Sequence, residues 1–377
     1  METVQFFVNY FISLFEPLRG TWVWPGLAET GKFLGTHLLS GMVPAFFIAG
    51  AISIFLDKQR ITKLMGANAN PLVAYPVAAF SGGILTVCSC GVIPIFTSIM
   101  QQGAGIGPAF TFLMSSPAVN LIALTYTYSL LGSDFLFGRV LAVLVSSILI
   151  GLSMRVFFGK GNIEEPPKGI IIVEDDDHSD SEIFMFFVLL ILFMITSTGT
   201  LDSLITPIMN KLAISGPLMP RIAVLCLLLL AIVLFCKKYF SKGEIKLWVK
   251  KSYSLFTMIF PKVVGGIFVC GCLAAMINLT DYMIYFDDNN VLGNMLISLI
   301  AALMYFGTIV GVTIVSTLHD FGMHGGPAMT LLLAGPAISL PSVLALIPIV
   351  GVKKALSFLL AVILFSTISG FVFGLTF

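Results

Sequence analysis

Gly107–Leu121 reads GPAFTFLMSSPAVNL, and Gly326–Leu340 reads GPAMTLLLAGPAISL. Eight of the fifteen positions coincide without a gap, both Pro-Ala pairs among them. Composition supplies some matches, but two Pro-Ala pairs at the same spacing mark an internal repeat. Each copy follows a Gly-rich apolar stretch and leads through a short loop to a final apolar segment. Repeat one then covers 34–158 and repeat two 253–377.

The rest of the chain fixes the solvent of these repeats. Of 377 residues, 58% are hydrophobic and 10% charged, with mean hydropathy +1.03. Soluble domains carry about 25% charged residues, so this chain cannot cover itself with a hydrated surface. Apolar stretches long enough to cross a hydrocarbon layer of roughly 30 Å recur along its length. Short-period alternation is absent, which argues against a barrel. Spanning helices satisfy their own backbone groups, as lipid requires. The expected class is all-α: a polytopic transmembrane helical bundle. A net charge of +1 indicates no acidic partner, and no nucleic-acid partner is expected. No basic n-region with a small-residue cleavage site opens the chain, so no removable signal peptide is expected. All six cysteines lie in or beside apolar segments, unlike a secreted disulfide framework.

Spans are expected at about 34–56, 136–158, 183–206, 218–236, 253–280 and 355–377. Residues 1–33 read as an N-terminal interfacial segment and 159–182 as an acidic cytoplasmic linker. Residues 183–252 hold two linker helices and a basic cytoplasmic loop. Loop charges set orientation. Six lysines in 237–251, together with Lys58, Arg60, Lys63, Lys353 and Lys354, mark cytoplasmic loops. The loop 281–290 carries three aspartates and no Lys or Arg, which suits the outside. These assignments agree only if the first span of repeat one runs opposite to its counterpart in repeat two. Each Gly/Pro-rich region, 71–131 and 291–350, must then cross an odd number of times although it has room for about two spans. Part of each is therefore expected to be a broken or re-entrant helix, the architecture by which transporters place a site at the midplane.

Within 71–131 stands Thr86-Val-Cys88-Ser89-Cys90-Gly91-Val-Ile-Pro94. On a regular helix, residues two apart point about 200° away from each other, but Gly91 and Pro94 favour an unwound backbone that lets neighbouring side chains converge. Thiolates suit soft metal or metalloid ions, so Cys88 and Cys90 read either as ligands of a soft metalloid or as small apolar packing residues. Cys270 and Cys272 form a second pair in a more regular span, where small residues at helix contacts are routine. Ser115, Ser116, Pro117 and Asn120 in one copy match Gly335, Pro336 and Ser339 in the other. A proline there frees a carbonyl and exposes N–H groups where the helix restarts, an anion-attracting arrangement; the alternative is a kink with hydroxyls bonded to their own backbone. Lys262 inside its span is a coupling candidate or a lysine snorkelling to the interface. His319, Asp320 and His324 either carry protons or are solvated, and their spacing is irregular for a metal site.

The run from Thr86 to Leu124 and its second copy, Gly325–Leu344, resemble the ArsP/YraQ-type permease family over nearly the whole chain. The resemblance implies a permease of a bacterial or archaeal inner membrane, some relatives exporting trivalent organoarsenicals with cysteines as expected ligands. The family motif falls on Cys88, Cys90, Gly91, Pro94, Gly107, Pro108, Pro117 and Asn120. The expected function is secondary transport of a small-molecule or metalloid substrate across the lipid bilayer, without a cofactor. A small anion held at broken-helix N-termini is the alternative cargo. Homo-oligomerisation and a role as membrane subunit of a larger complex stay open. Walker A and GxSxG sequences are absent, and ionisable residues are too sparse to support an enzyme.

Overall fold

In the computed structural model, residues 19, 21, 23–56, 58–84, 89–119, 121–159, 179–199, 219–275, 286–304 and 308–376 are described. All regular elements among them are helices. The apolar N-terminal stretch, most of the acidic linker, Cys88 and Asn120 lie outside the described residues.

Helical structure begins at Trp24, ahead of the span expected from Leu34. Helix α1 (Trp24–Phe33) passes through a π-helical stretch, Leu34–Met42, into α2 (Val43–Phe55) with helical dihedrals at both junctions. Pro25 is tolerated in the first turn of α1, while Pro44 lies inside the continuous helix directly after its π-helical stretch. A short polar helix, α3 (Lys58–Met65), follows.

Helices α4 (Pro71–Ile84) and α5 (Ser89–Gln101) form a helical hairpin whose two outer ends lie at one level. Asn70 caps α4, accepting from Leu72 N at 3.0 Å. At the far end of the hairpin, Gln102 Nε2 donates to the Ser53 carbonyl at 2.8 Å. Gly105 N donates to Met65 O at 2.7 Å, so α5 returns to the level from which α4 departed. Helix α6 (Ile106–Ala118) starts at that level and runs beside α4 in the same direction. A Cβ on Gly107 would strike the Tyr75 ring, and Ser116 Oγ donates to Gly82 O at 2.9 Å. Pro117 stands in the last turn of α6, and Val119 leaves the helix at φ −110°, ψ 56°. Helix α7 (Leu121–Phe158) resumes and folds back at Gly132, where φ is 88°.

The same parts recur at a constant offset of 219 residues. Helices α11 (Val291–Leu303) and α12 (Thr308–Asp320) repeat the hairpin, with Asn290 capping α11. Helix α13 (Gly325–Ala337) repeats α6, with Pro336 for Pro117. Helices α14 (Leu340–Val350) and α15 (Val352–Thr376) repeat α7, with Gly351 at φ 85° where α7 has Gly132. The turns agree bond for bond: Gly103 N to Met100 O matches Gly322 N to His319 O, and Ala104 N to Ile99 O matches Met323 N to Leu318 O. Gly151 lies against Gly107 and Thr111, as Gly370 lies against Gly326 and Thr330.

Between these parts lie α8 (Asp180–Ser197), α9 (Met219–Tyr239) and α10 (Lys242–Ala274). Ser241 and Glu244 form a capping box that starts α10. Helix α10 runs antiparallel to α1–α2: Gly271 meets Gly26, and Ser252 meets Gly50. Helices α7 and α15 also pair antiparallel, Gly138 against Phe373 and Ser146 Oγ 2.9 Å from Ser369 Oγ. Four described helices are long and apolar enough to cross a membrane, within 123–158, 220–239, 242–273 and 352–376. The pair α13 and α14, bent by 46°, makes a fifth. The chain is a multi-pass membrane protein.

Candidate functional site at the helix breaks

The breaks gather at a common place inside the bundle. Gly82 near the inner end of α4 touches Ser115 and Ser116, and Gly83 touches Val119 where α6 ends. Cys270 on α10 donates its thiol to the Leu303 carbonyl at 3.1 Å, at the inner end of α11. Gly266 on α10 meets Pro341, in the first turn of α14. Helix α5 contacts α14, and α6 contacts α13. Both hairpins and both interrupted spans thus converge on one region.

The sequence candidates fall into distinct groups there. Ser89 and Cys90 open α5 and are buried, with Gly91 and Pro94 buried in the turns that follow. Pro94 O accepts from Ser98 Oγ at 3.1 Å. Ser115 Oγ bonds to Phe112 O at 3.3 Å, and Ser116 Oγ is taken by Gly82 O, so both hydroxyls satisfy backbone. Gly335 and Pro336 are buried in the last turn of α13. Ser339 stands at the second break, its Oγ 3.1 Å from Ser342 Oγ.

The coupling candidates lie elsewhere. Lys262 Nζ donates to Met258 O of its own helix at 2.8 Å and is half-buried. His319 and Asp320 are exposed at the outer end of α12, where His319 Nδ1 is 2.7 Å from Met323 O. His324 caps α13, its Nδ1 accepting from Gly326 N at 3.2 Å. Neither histidine reaches the breaks. Among the described residues no three His, Cys, Asp or Glu side chains converge as metal ligands.

One residue at the breaks escaped the sequence reading. Arg139 is 0% exposed. Its Nε donates to Ala118 O at 3.2 Å and its Nη1 to Thr127 Oγ1 at 2.8 Å. Nη2 has no hydrogen-bond partner among the described residues, and no carboxylate there pairs with the guanidinium. The span expected to start at Leu136 put Arg139 three residues inside the membrane, a depth normal for an interfacial arginine. An arginine within a span is itself the signal of a functional group, and the Gly132 turn is what carries it into the interior.

An all-helical bundle with four to five helices long and apolar enough to cross a membrane defines a polytopic membrane protein. The chain belongs to the ArsP_1 family, described as a predicted permease, whose model matches residues 30–375. It is 37% identical to a UPF0718 protein of Methanocaldococcus jannaschii over 91% of this chain and 93% of that protein. It is 26% identical to the UPF0718 protein YcgR of Bacillus subtilis, over 32% of this chain and 40% of that protein. A Streptococcus mutans protein named as a subunit of a two-component membrane permease complex is 24% identical over 35% of this chain and 40% of its own length. No solved structure matches the chain.

Proposed function

We propose that the protein is a secondary transporter of the cytoplasmic membrane, built from two inverted repeats that enclose a midplane site. The observation that carries this reading is the meeting of two hairpins and two broken spans at one interior region. Inversion is supported by the antiparallel pairing of corresponding helices, α7 with α15 and α1–α2 with α10. Charge supports it too: Trp248 bonds to Phe47 O, joining the lysine-rich start of α10 to the end of the bundle that carries α3. Asp287 and Asp288 precede α11, whose neighbour α13 begins at His324 with a bond to Phe286 O. The basic end is then cytoplasmic and the acidic end outside.

For the cargo, Cys88 and Cys90 supply soft donors for a thiophilic solute such as a trivalent organoarsenical, exported across the membrane. Burial of Cys90 in the first turn of α5, a helix that contacts α14, supports this placement. Export in everted vesicles carrying Cys88→Ser and Cys90→Ser tests it: methylarsenite transport should fall to background. Unchanged transport removes the thiols from the mechanism. A second reading, membrane subunit of a larger permease complex, is favoured by the printed name of the Streptococcus mutans relative. It requires a stable partner on copurification from the native host.

A further inference from the structure

Two facts about Arg139 are not explained by its packing. A buried guanidinium without a counter-charge is costly, and one of its nitrogens is left without a partner among the described residues. Capping accounts for part of the arrangement, since Nε closes the C-terminal end of α6 at Ala118. It does not account for Nη2.

The second repeat supplies an internal comparison. At the same register stands Phe358, which is 1% exposed and packs against Phe110 with ring centroids 5.0 Å apart. Phe110 in turn corresponds to Met329, which lies against Gly138, the neighbour of Arg139. Equivalent niches are therefore filled by a phenyl ring in one repeat and a guanidinium in the other. Filling space needs no charge, as Phe358 demonstrates.

The location of the charge indicates its use. Ala118 is the last residue of α6, and Leu121 is the first of α7, so the guanidinium sits at the break. Backbone N–H groups in the first turn of a helix lack intrahelical acceptors and carry the positive end of its dipole. The segment of α7 before Gly132 runs from 121 to 131, long enough for that effect. Thr127 on the same segment holds Nη1 and so fixes the plane of the fork. A rigid fork with a free N–H edge beside a helix start is suited to a carboxylate or an oxyanion.

We infer that Arg139 anchors an anion site at the break between α6 and α7, and that a small solute bearing a carboxylate or oxyanion binds there. The inference deepens the transport reading and rests on it for the role of the anion, as cargo or as co-transported ion. Binding itself stands independently of transport.

The test uses the full chain, purified in detergent, with sodium acetate and inorganic phosphate as probes against sodium chloride at matched ionic strength. At least one probe should raise the unfolding temperature saturably above chloride in the wild type. Its apparent affinity should weaken about tenfold or more in R139Q, the loss of one charge-assisted bond, and less in R139K. A merely structural arginine would lower the unfolding temperature of R139Q while leaving the probe-dependent increment unchanged, and that result overturns the proposal. So does the absence of any effect of both probes on the wild type. If R139Q yields no folded protein, protection of Arg139 from phenylglyoxal by the same probes in the wild type decides, read by mass spectrometry; no protection overturns the site. In proteoliposomes, flux of the labelled probe identifies it as cargo, and stimulation of methylarsenite flux by the unlabelled probe identifies it as co-ion. Arg139-dependent binding in a protein whose two halves face the same way would leave the anion site standing and remove the transport reading.

Discussion

Gly151 and Gly370 show what single residues contribute to a bundle in lipid. Without a hydrophobic drive between helices, close backbone approach and interhelical bonds supply the packing. A Cβ on Gly151 would strike Thr111 Oγ1 and come within 2.6 Å of the Gly107 carbonyl. One on Gly370 would strike Thr330 Oγ1 and come within 2.7 Å of the Gly326 carbonyl. In each case the nearest obstruction is a buried threonine hydroxyl and the next a backbone carbonyl, which cannot swing aside. Gly151→Ala and Gly370→Ala should each destabilise by roughly 1–3 kcal/mol, read as lowered unfolding temperature in detergent; an unchanged transition would contradict the packing. Asn294 is a second such residue. Its Oδ1 accepts from Thr330 Oγ1 at 2.6 Å, and its Nδ2 donates to Asn290 O at 2.8 Å and Asn289 Oδ1 at 3.1 Å. Asn294→Ala strands those partners and should cost roughly 1–3 kcal/mol, whereas substitution of exposed Asp320 should cost little. At this scale the sequence was only partly legible. Ser89, Cys90, the Ser-Pro pair and Ser339 all lie on or beside the elements at the breaks, while Cys88 lies outside the described residues. Arg139 did not stand out, because its depth depends on a reversal at Gly132 that a hydropathy profile does not register.

At the scale of elements, the decisive feature is where helices stop. Pro117 and Pro336 lack an N–H, so the last turns of α6 and α13 lose a donor, and the chain leaves the helix two to three residues later. Gly132 and Gly351 then turn α7 and α14–α15 at φ 88° and 85°, a region that L side chains avoid. Gly132→Ala and Gly351→Ala should each destabilise by about 1–2 kcal/mol, with the larger effect on transport because these turns aim the helices that hold the breaks. Equal transport at equal expression would show that the turns do not position the site. Ser116→Ala removes the bond from α6 to Gly82 O and should loosen the hairpin by about 1 kcal/mol. Proteolysis or hydrogen exchange localised to α4 and α5 would register it. Loop charges and the parity of crossings point to broken or re-entrant segments, and the bent pair α13–α14 is one such interruption. Which part of each region forms the hairpin was not, because α4, α5 and α6 are similar in length and all apolar. Their contacts, rather than their compositions, separate hairpin from span. The start of helix at Trp24 was hidden for a different reason: Glu29 and Lys32 dilute its hydropathy, while they pair on the helix surface at 2.7 Å.

For the whole molecule, the repeat signal in fifteen residues extends to the entire architecture. The offset of 219 residues relates hairpins that share almost no sequence identity through turns and contacts whose glycines are kept, since helix–helix geometry constrains a few small residues and leaves the rest free to vary. Function follows from the places where the two repeats differ. Repeat one carries the Cys88–Cys90 pair and Arg139; repeat two carries Cys270 and Cys272 on α10 and has Phe358 at the register of Arg139 and Ser339 at that of Asn120. In the proposed transporter, two similar halves meeting at one interior region would exchange which end of the bundle is open, and the residues that differ between them would give the region its chemistry.

The relation between the halves is tested most directly at Asn68 and Asp287, exposed loop residues at the same register of the two repeats. Asn68→Cys and Asp287→Cys would be labelled in intact cells with a membrane-impermeant maleimide, against the wild-type background. Inverted repeats predict labelling of Asp287→Cys from outside and of Asn68→Cys only after permeabilisation. Labelling of both from the same side would contradict the account.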